Sequence, residues 1–570
     1  MTNLLKFKLA PLFLLVTVCI VDAGDLVAEA QKYITVDSAA VACSENIAGE
    51  AGVEMLQSGG NAIDALTAVA FAMAVTYPRA GNIGGGGFLI SRKANGEVIA
   101  LDFRETAPLS SASDMFLDEY GNPVEDKSKI GALAVGVPGT VRGLYEAQRS
   151  FGELSWNRVL QPSIQLARDG FIVKKSFIES LEEKKENLNK FAETKKIFFP
   201  GGQMPLEGDI FLQPELANTL SRIAESGDSV FYNGDIADKI VAAAQKYGGI
   251  LSKSDFTDYK VVYREPVAID YRGYKIYSMP PPSSGGLVMR GILNTLQQID
   301  LAQQYSHNSA DYIAFVSEIE KHWYAYRNLY LGDPDFSEIP TDLFLSPEKA
   351  EDILGAVSIE HPLPSDEMPE FSLILNKEEK ETTHISILDA QGNAVAMTYT
   401  LNGSFGSFLV AEGTGILLNN EMDDFTVKPG HSNLYGLVQG RVNAIEPGKR
   451  MLSSMTPTIV EKNGEVIGML GSPGGSKIIT SVLQILLNKI DYQMSLSDAM
   501  TAGRFHQQWL PDSIYYEENK IPQTIVEDLS KRGFKMSAID EIGDIQVIWR
   551  LNDKWEACSD LNGNGTPVGY

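Results

Sequence analysis

Thr382 to Gly406 reads TTHISILDAQGNAVAMTYTLNGSFG, and its alternation decides how the rest of the chain is arranged. Before the turn, Thr382, His384 and Ser386 alternate with Thr383, Ile385 and Ile387; after it, Ala394, Ala396, Thr398 and Thr400 alternate with Val395, Met397 and Tyr399. Period two predicts a pair of strands. Asp389-Ala390-Gln391-Gly392-Asn393 supplies the turn, with a residue tolerant of positive φ and side chains that bond their own backbone. A hairpin centred on Gln391 puts Thr400 across the ladder from Thr382. One face is then Thr382, His384, Ser386, Thr400, Thr398 and Ala396, and the other is apolar. A slip of one residue would scramble both faces, so the register is specified. The alternation alone also fits a half-exposed hairpin whose polar face meets water.

Upstream, Lys377 to Glu381 (KEEKE) is a charged run, either a solvated loop or the exposed approach that a processing site needs. Ser44 to Val75 predicts two helices joined at Ser58-Gly59-Gly60-Asn61, a helix-ending pattern. The glycine run Gly81-Asn82-Ile83-Gly84-Gly85-Gly86-Gly87 lacks the Lys-Ser/Thr of a phosphate loop and predicts close backbone packing instead. Gly131 to Gly152 predicts a strand, a turn and a helix. Further helices are expected over Gln161–Gly170, Ser180–Thr194, from Pro214, over Leu287–Leu301 and on to about Tyr330, whereas Leu345–Pro369 is poorly periodic. Downstream, Gly415–Phe425 sets polar and acidic residues after an apolar strand. Thr426–Arg450 is long enough to be a lid. Pro473-Gly474-Gly475-Ser476 opens a helix with backbone N–H groups suited to negative charge.

The 570 residues are 44% hydrophobic and 21% charged, a globular composition. The balance of 48 basic and 74 acidic residues gives a formal charge of −26, which argues against a nucleic-acid partner. Lys6 and Lys8 precede an apolar run, Leu9 to Val21, and a small-residue cleavage site before Gly24. This pattern predicts a signal peptide over residues 1–23 and a periplasmic or secreted protein, with an uncleaved membrane anchor as the alternative. No stable membrane span is expected after cleavage. Cys43 and Cys558 remain in the mature chain and are expected as buried free thiols, although an oxidising compartment would permit pairing.

The six histidines never take paired metal-ligand spacing, and there is no CxxC, dinucleotide fingerprint or GxSxG elbow, so neither a metal nor a cofactor is expected. An internal threonine is a poor nucleophile. A threonine at a new N-terminus carries its own base, an α-amine of pKa about 7.7–8.0.

The hairpin resembles the signature of the γ-glutamyltransferase family (γ-glutamyltranspeptidase, glutathione hydrolase). GGNAIDA, GNIGGGGF, DFRETAP, GVPGTVRG, PPPSSGG, NNEMDDF, LSSM, GSPGGS, RFHQQWLP and the terminal GY resemble family blocks in the family's order across the mature chain. The resemblance implies an α/β (α+β) fold, a four-layer αββα sandwich of the N-terminal nucleophile hydrolase type. It implies cleavage between Glu381 and Thr382 into a large subunit (24–381) and a small subunit (382–570), intertwined in one catalytic fold.

It further implies that Thr382 attacks the γ-glutamyl amide of donors such as glutathione. The γ-glutamyl-enzyme is then released to water or to an amino acid or peptide acceptor. Thr400 holds the nucleophile, and the N–H groups of Gly474 and Gly475 form the oxyanion hole. Arg104, Ser453 and Ser454 receive the donor's α-carboxylate; Asn402, Glu421 and Asp424 receive its ammonium; Tyr435 gates the site. Glu421 stands where some members carry Gln, and a second carboxylate should strengthen ammonium binding. Met451 and Leu561-Asn562 depart from common family residues, away from the expected chemistry. An acylase of the same fold acting on other side-chain amides, such as β-lactam precursors, is the alternative. A binding protein that has lost catalysis would have no need of Thr382, Gly474 or Gly475.

Overall fold

The computed structural model describes residues 32–368, 382–561 and 563–570; the 1–23 segment, KEEKE with Glu381, and Asn562 lie outside them. Fourteen strands form two seven-stranded sheets in which every neighbouring pair runs antiparallel. The first sheet runs Val568–Gly569, Ala40–Cys43, Thr383–Leu388, Ala394–Thr400, Gly86–Arg92, Val98–Phe103, Val262–Arg264. The second runs Tyr33–Val36, Lys554–Ser559, Gln546–Leu551, Glu465–Gly471, Thr458–Lys462, Tyr274–Ser278, Val267–Tyr271. Each sheet takes strands from both sides of residue 382, so the two parts of the chain interlock.

Alternation along the strands separates three apolar interfaces. Val41, Ile385, Ile387, Val395, Met397 and Tyr399 point outward onto the helices Asn46–Gln57 and Ala62–Thr76. All residues of Ala62–Thr76 are buried, as its Ala-rich sequence allows, and Asn61 and Asp64 form a capping box at its start. Ala40, Ala42, Phe88, Ile90, Ala394 and Ala396 point the other way, onto Ile459, Met469 and Ile548 of the second sheet. That sheet's far face carries Val460, Leu470 and Val547 against the helices Gly285–Leu296, Ala310–Tyr330 and Ile478–Ile490. Helices, sheet, sheet, helices make the four-layer αββα sandwich.

The hairpin register is the expected one: Thr383 pairs with Tyr399, His384 with Thr398 and Ser386 with Ala396. Its polar face does not meet water. His384 Nδ1 bonds Thr398 Oγ1 at 2.7 Å and Nε2 bonds Ser386 Oγ at 3.1 Å, while Ser386 Oγ donates to the Gln546 carbonyl of the second sheet at 3.1 Å. Gly471 makes room, since a Cβ there would lie 2.2 Å from His384 Cε1. The half-exposed alternative fails because a second sheet covers that face.

Several expected boundaries move. Gly131–Gly152 forms no strand, only a 3-10 turn at Ala132–Ala134 and the helix Thr140–Phe151. The Ser180–Thr194 region breaks into Lys175–Glu183, Lys185–Leu188 and Ala192–Phe198. Leu287–Leu301 is two helices, Gly285–Leu296 and Leu301–Gln304. A helix, Pro347–Ala356, lies in the segment read as aperiodic; Ser346 caps it and Pro347 takes its first position. Cys43 and Cys558 are buried free thiols on different sheets.

Candidate active site

The glycine run seats the Thr400 end of the hairpin. A Cβ on Gly85 would lie 1.9 Å from the Thr400 carbonyl oxygen, and one on Gly87 2.5 Å from that of Thr398, so only glycine lets these backbones meet. Thr400 thereby ends its strand beside the first residue of the hairpin. Thr382 Oγ1 lies 3.5 Å from Thr400 Oγ1, and both residues are buried. The Asn402 N–H donates to Thr400 Oγ1 at 2.8 Å, which fixes that hydroxyl. Asn402 itself holds φ +75°, a left-handed conformation that asparagine tolerates.

Thr382, Thr400 and Asn402 line a pocket with about 310 Å³ of empty space, counting its open mouth. Arg104, Glu421, Asp424, Ser453, Ser454, Tyr435 and Gly475 line it too. Ten expected residues therefore converge from six separate segments. Gly474 is adjacent, at φ +129°, where the backbone turns into the short helix Gly475–Lys477 that continues as Ile478–Ile490.

Arg104 is fully buried at the end of the strand Val98–Phe103. Its guanidinium bonds Glu421 through Nη1 and Asp424 Oδ2 through Nη2 at 2.5 Å, and its Nε donates to the Met451 carbonyl at 3.3 Å. Met451 thus reaches Arg104, though through a backbone atom that any side chain would leave in place. Asp102 accepts from the Arg104 N–H, and its carboxylate pairs instead with Arg264 and Arg450.

Three carboxyls crowd this one guanidinium. Burial pushes Glu421 well above the ordinary carboxylate range, Asp424 up to about 6 and Glu105 up to about 7, each opposed by Arg104. Burial alone would weaken Arg104, but Glu421, Asp424 and Glu105 outweigh it and raise its pKa. Near neutral pH Asp424 is the ionised partner, whereas Glu421 is the carboxyl that burial and its acidic neighbours push upward.

The Thr426–Arg450 segment closes over the pocket. Asp423 Oδ2 accepts from the Leu434 N–H at 2.7 Å, Asn433 Nδ2 donates to Asp424 Oδ1 at 3.2 Å, and Tyr435 OH donates to the Asn402 carbonyl at 2.7 Å. The Tyr435 ring lies against Gly475, where a Cβ would sit 2.1 Å from its Cδ1.

Ser453 and Ser454 are buried. The Ser284 N–H and hydroxyl both donate to the Ser453 carbonyl, at 2.8 and 2.7 Å, which brings PPPSSGG alongside. Arg327, from the helix Ala310–Tyr330, also lines the pocket, and sequence reasoning missed it. It sits inside a long helical pattern at no diagnostic spacing, and its charge did not single it out, since the same helix carries Asp311, Glu318, Glu320 and Lys321.

Two stacked sheets between helix layers, with the pocket at the open end of the central hairpin, place the molecule among the N-terminal nucleophile hydrolases. The crystal structure of cephalosporin acylase from Bacillus halodurans is similar at 25% identity and TM-score 0.80, covering 94% of this chain and 97% of that one. The family is narrower than the fold: the gamma-glutamyltranspeptidase profile matches residues 48–570, and the chain belongs to that family. It is 47% identical over 509 residues to the glutathione hydrolase proenzyme of Escherichia coli strain K12, covering 89% of this chain and 87% of the relative. It is 42% identical over 537 residues to that of Pseudomonas aeruginosa, covering 93% and 94%. The Helicobacter pylori gamma-glutamyltranspeptidase structure is 42% identical with TM-score 0.56, covering 57% of this chain and 93% of that one.

Proposed function

We propose that this chain is a self-cleaving γ-glutamyltransferase and glutathione hydrolase whose nucleophile is Thr382. The observation that carries the reading is the ladder itself, which brings Thr382 Oγ1 to 3.5 Å from Thr400 Oγ1 in the pocket shared with Arg104 and Asp424. Within an uncut chain the Thr382 nitrogen is an amide and cannot serve as a base. Attack of Thr382 Oγ on the Glu381 carbonyl, transfer of the acyl group from nitrogen to oxygen and hydrolysis of the resulting ester free an α-amine. That amine then takes the hydroxyl proton.

Thr382 Oγ adds to the γ-carbonyl of a glutamyl donor, and the Gly474 and Gly475 N–H groups hold the oxyanion. Losing one such donor typically costs roughly 3 kcal/mol of transition-state stabilisation. The amine passes its proton to the leaving nitrogen, the γ-glutamyl ester remains, and water or an acceptor amine takes the acyl group. The donor's α-carboxylate exchanges onto Arg104, Ser453 and Ser454, while its ammonium exchanges onto Asp424, Asn402 and Glu421. A zwitterionic head group can enter an ion pair of this kind without leaving a charge unmatched. Tyr435 over Gly475 shields the ester. Residues 382–570 form the small subunit and residues 24–381 the large one. The 1–23 segment directs export to the periplasm or medium, a reading supported by its Lys6, Lys8 and Leu9–Val21 pattern. Among the described residues no helix is long and apolar enough to cross a membrane.

The likeness to a cephalosporin acylase favours a second reading, hydrolysis of other side-chain amides. A guanidinium and a carboxylate together select an amino-acid head group, so γ-glutamyl-p-nitroanilide should be turned over in preference to a glutaryl amide. Thr382→Ala should leave one long chain on a denaturing gel and release no glutamate from glutathione; a cleaved, active variant would contradict the proposal.

A further inference from the structure

Buried guanidinium groups are normally paired, because an unmatched charge in a low-dielectric interior is costly. Arg327 is 1% exposed and makes no ion pair among the described residues. Its position in the last turn of Ala310–Tyr330 lets the helix dipole offset part of that cost. Its hydrogen bonds go to neutral groups. Nε donates to Ser284 Oγ at 3.0 Å, Nη1 to Asn328 Oδ1 at 2.8 Å and Nη2 to Ser454 Oγ at 2.9 Å. Burial pushes Arg327 down to about 10, with Tyr324 and Asp424 acting in the opposite direction, so it stays charged at neutral pH.

These bonds organise the two serines of the pocket. The Ser284 hydroxyl accepts from Arg327 and donates to the Ser453 carbonyl, which fixes Ser453 through its backbone. Ser454 Oγ accepts from Arg327, so its own hydrogen is left to donate elsewhere, on the side where it lines the pocket. Arg104 is matched by Asp424 and Glu421, whereas Arg327 brings a positive charge that no neighbouring carboxylate cancels by contact.

We infer that Arg327 is a second cation for the donor's α-carboxylate, a specificity-determining and positioning residue that directs the Ser454 hydroxyl and supplies the charge the anion completes. The inference rests on the γ-glutamyl reading of the site and extends it: selection for an α-carboxylate is shared between two arginines from different layers of the fold.

The test compares γ-glutamyl-p-nitroanilide with 4-aminobutanoyl-p-nitroanilide, the same donor without its α-carboxylate, and reads the ratio of their kcat/KM values. Arg327→Met should lower that ratio about 100-fold, chiefly by raising KM for the γ-glutamyl donor, and Arg327→Lys should lower it by a smaller factor. Ser284→Ala, which removes one anchor and keeps the charge, should lower it roughly tenfold and serves if Arg327→Met is not processed into two chains. Equal losses on both donors, or an unchanged ratio in Arg327→Lys and Ser284→Ala, would overturn the inference. A wild-type enzyme inactive on γ-glutamyl-p-nitroanilide would instead overturn the parent reading.

Discussion

One face of one hairpin ends in two different ways. At His384, Thr398 and Ser386 the hydroxyl and imidazole groups find partners in one another and in the second sheet, and burial pushes His384 down to about 3, so it is neutral. A few residues along, at Thr382 and Thr400, the same face opens onto Arg104, Glu421, Asp424 and Arg327. There, both Glu105 carboxyl oxygens and Glu421 Oε2 lack a hydrogen-bond partner among the described residues, and Arg327 makes no ion-pair contact among them. The contrast separates two uses of buried polarity. A saturated network specifies packing, whereas an unsaturated one awaits a partner from outside the chain.

The largest break in that contrast comes from the unsaturated end. Arg104→Met should lower kcat/KM for a γ-glutamyl donor by about 1,000-fold, in line with the roughly 3–5 kcal/mol lost when one member of a buried pair is removed. A loss below tenfold in steady-state kinetics would mean that Arg104 does not read the carboxylate.

Asp424 sharpens the contrast through pH. Its pKa is raised in the folded protein to about 6, so its proton binds the folded state more tightly than the unfolded one. Its contribution to stability is present below about pH 4 and lost as pH rises through about 6. Ammonium binding needs the ionised form, so kcat/KM should fall, approaching tenfold per pH unit, below about 6. Stability and activity should therefore respond to Asp424 in opposite directions, and Asp424→Asn should remove both responses. Parallel pH series of thermal melting and kcat/KM check this.

The saturated end should give the smallest kinetic effect. His384→Ala removes two hydrogen bonds and leaves a void against Gly471, costing about 2–4 kcal/mol of stability by urea unfolding. The kcat/KM of the folded fraction should stay within about threefold of wild type. A large catalytic loss would show that the network acts at the site and not only in the core.

Much of the fold was legible because it rests on local rules. Alternation fixed the hairpin register, the glycine run marked the close approach to Thr400, and the Gly-Asn punctuation separated the first two helices. The site residues became legible through resemblance, since nothing at Arg104 or Asp424 alone tells a pocket from a surface pair. The remainder depended on contacts far apart in sequence. Whether the polar face of the hairpin meets water or a second sheet is decided by Gly471 and Gln546, which its own pattern does not contain. Arg327 is legible only once PPPSSGG and Ser454 are brought beside its helix. The helix Pro347–Ala356 was hidden by surrounding prolines, although Ser346-Pro347 is a capping signal that could have found it.

The central claim is that Thr382, at the head of the buried hairpin, becomes a chain end and the nucleophile. Intact mass and N-terminal sequencing of the purified, active protein test it most directly. Two chains are expected, the smaller beginning Thr382-Thr383-His384. An active protein that remains a single chain, or one cut at a different bond, would contradict it.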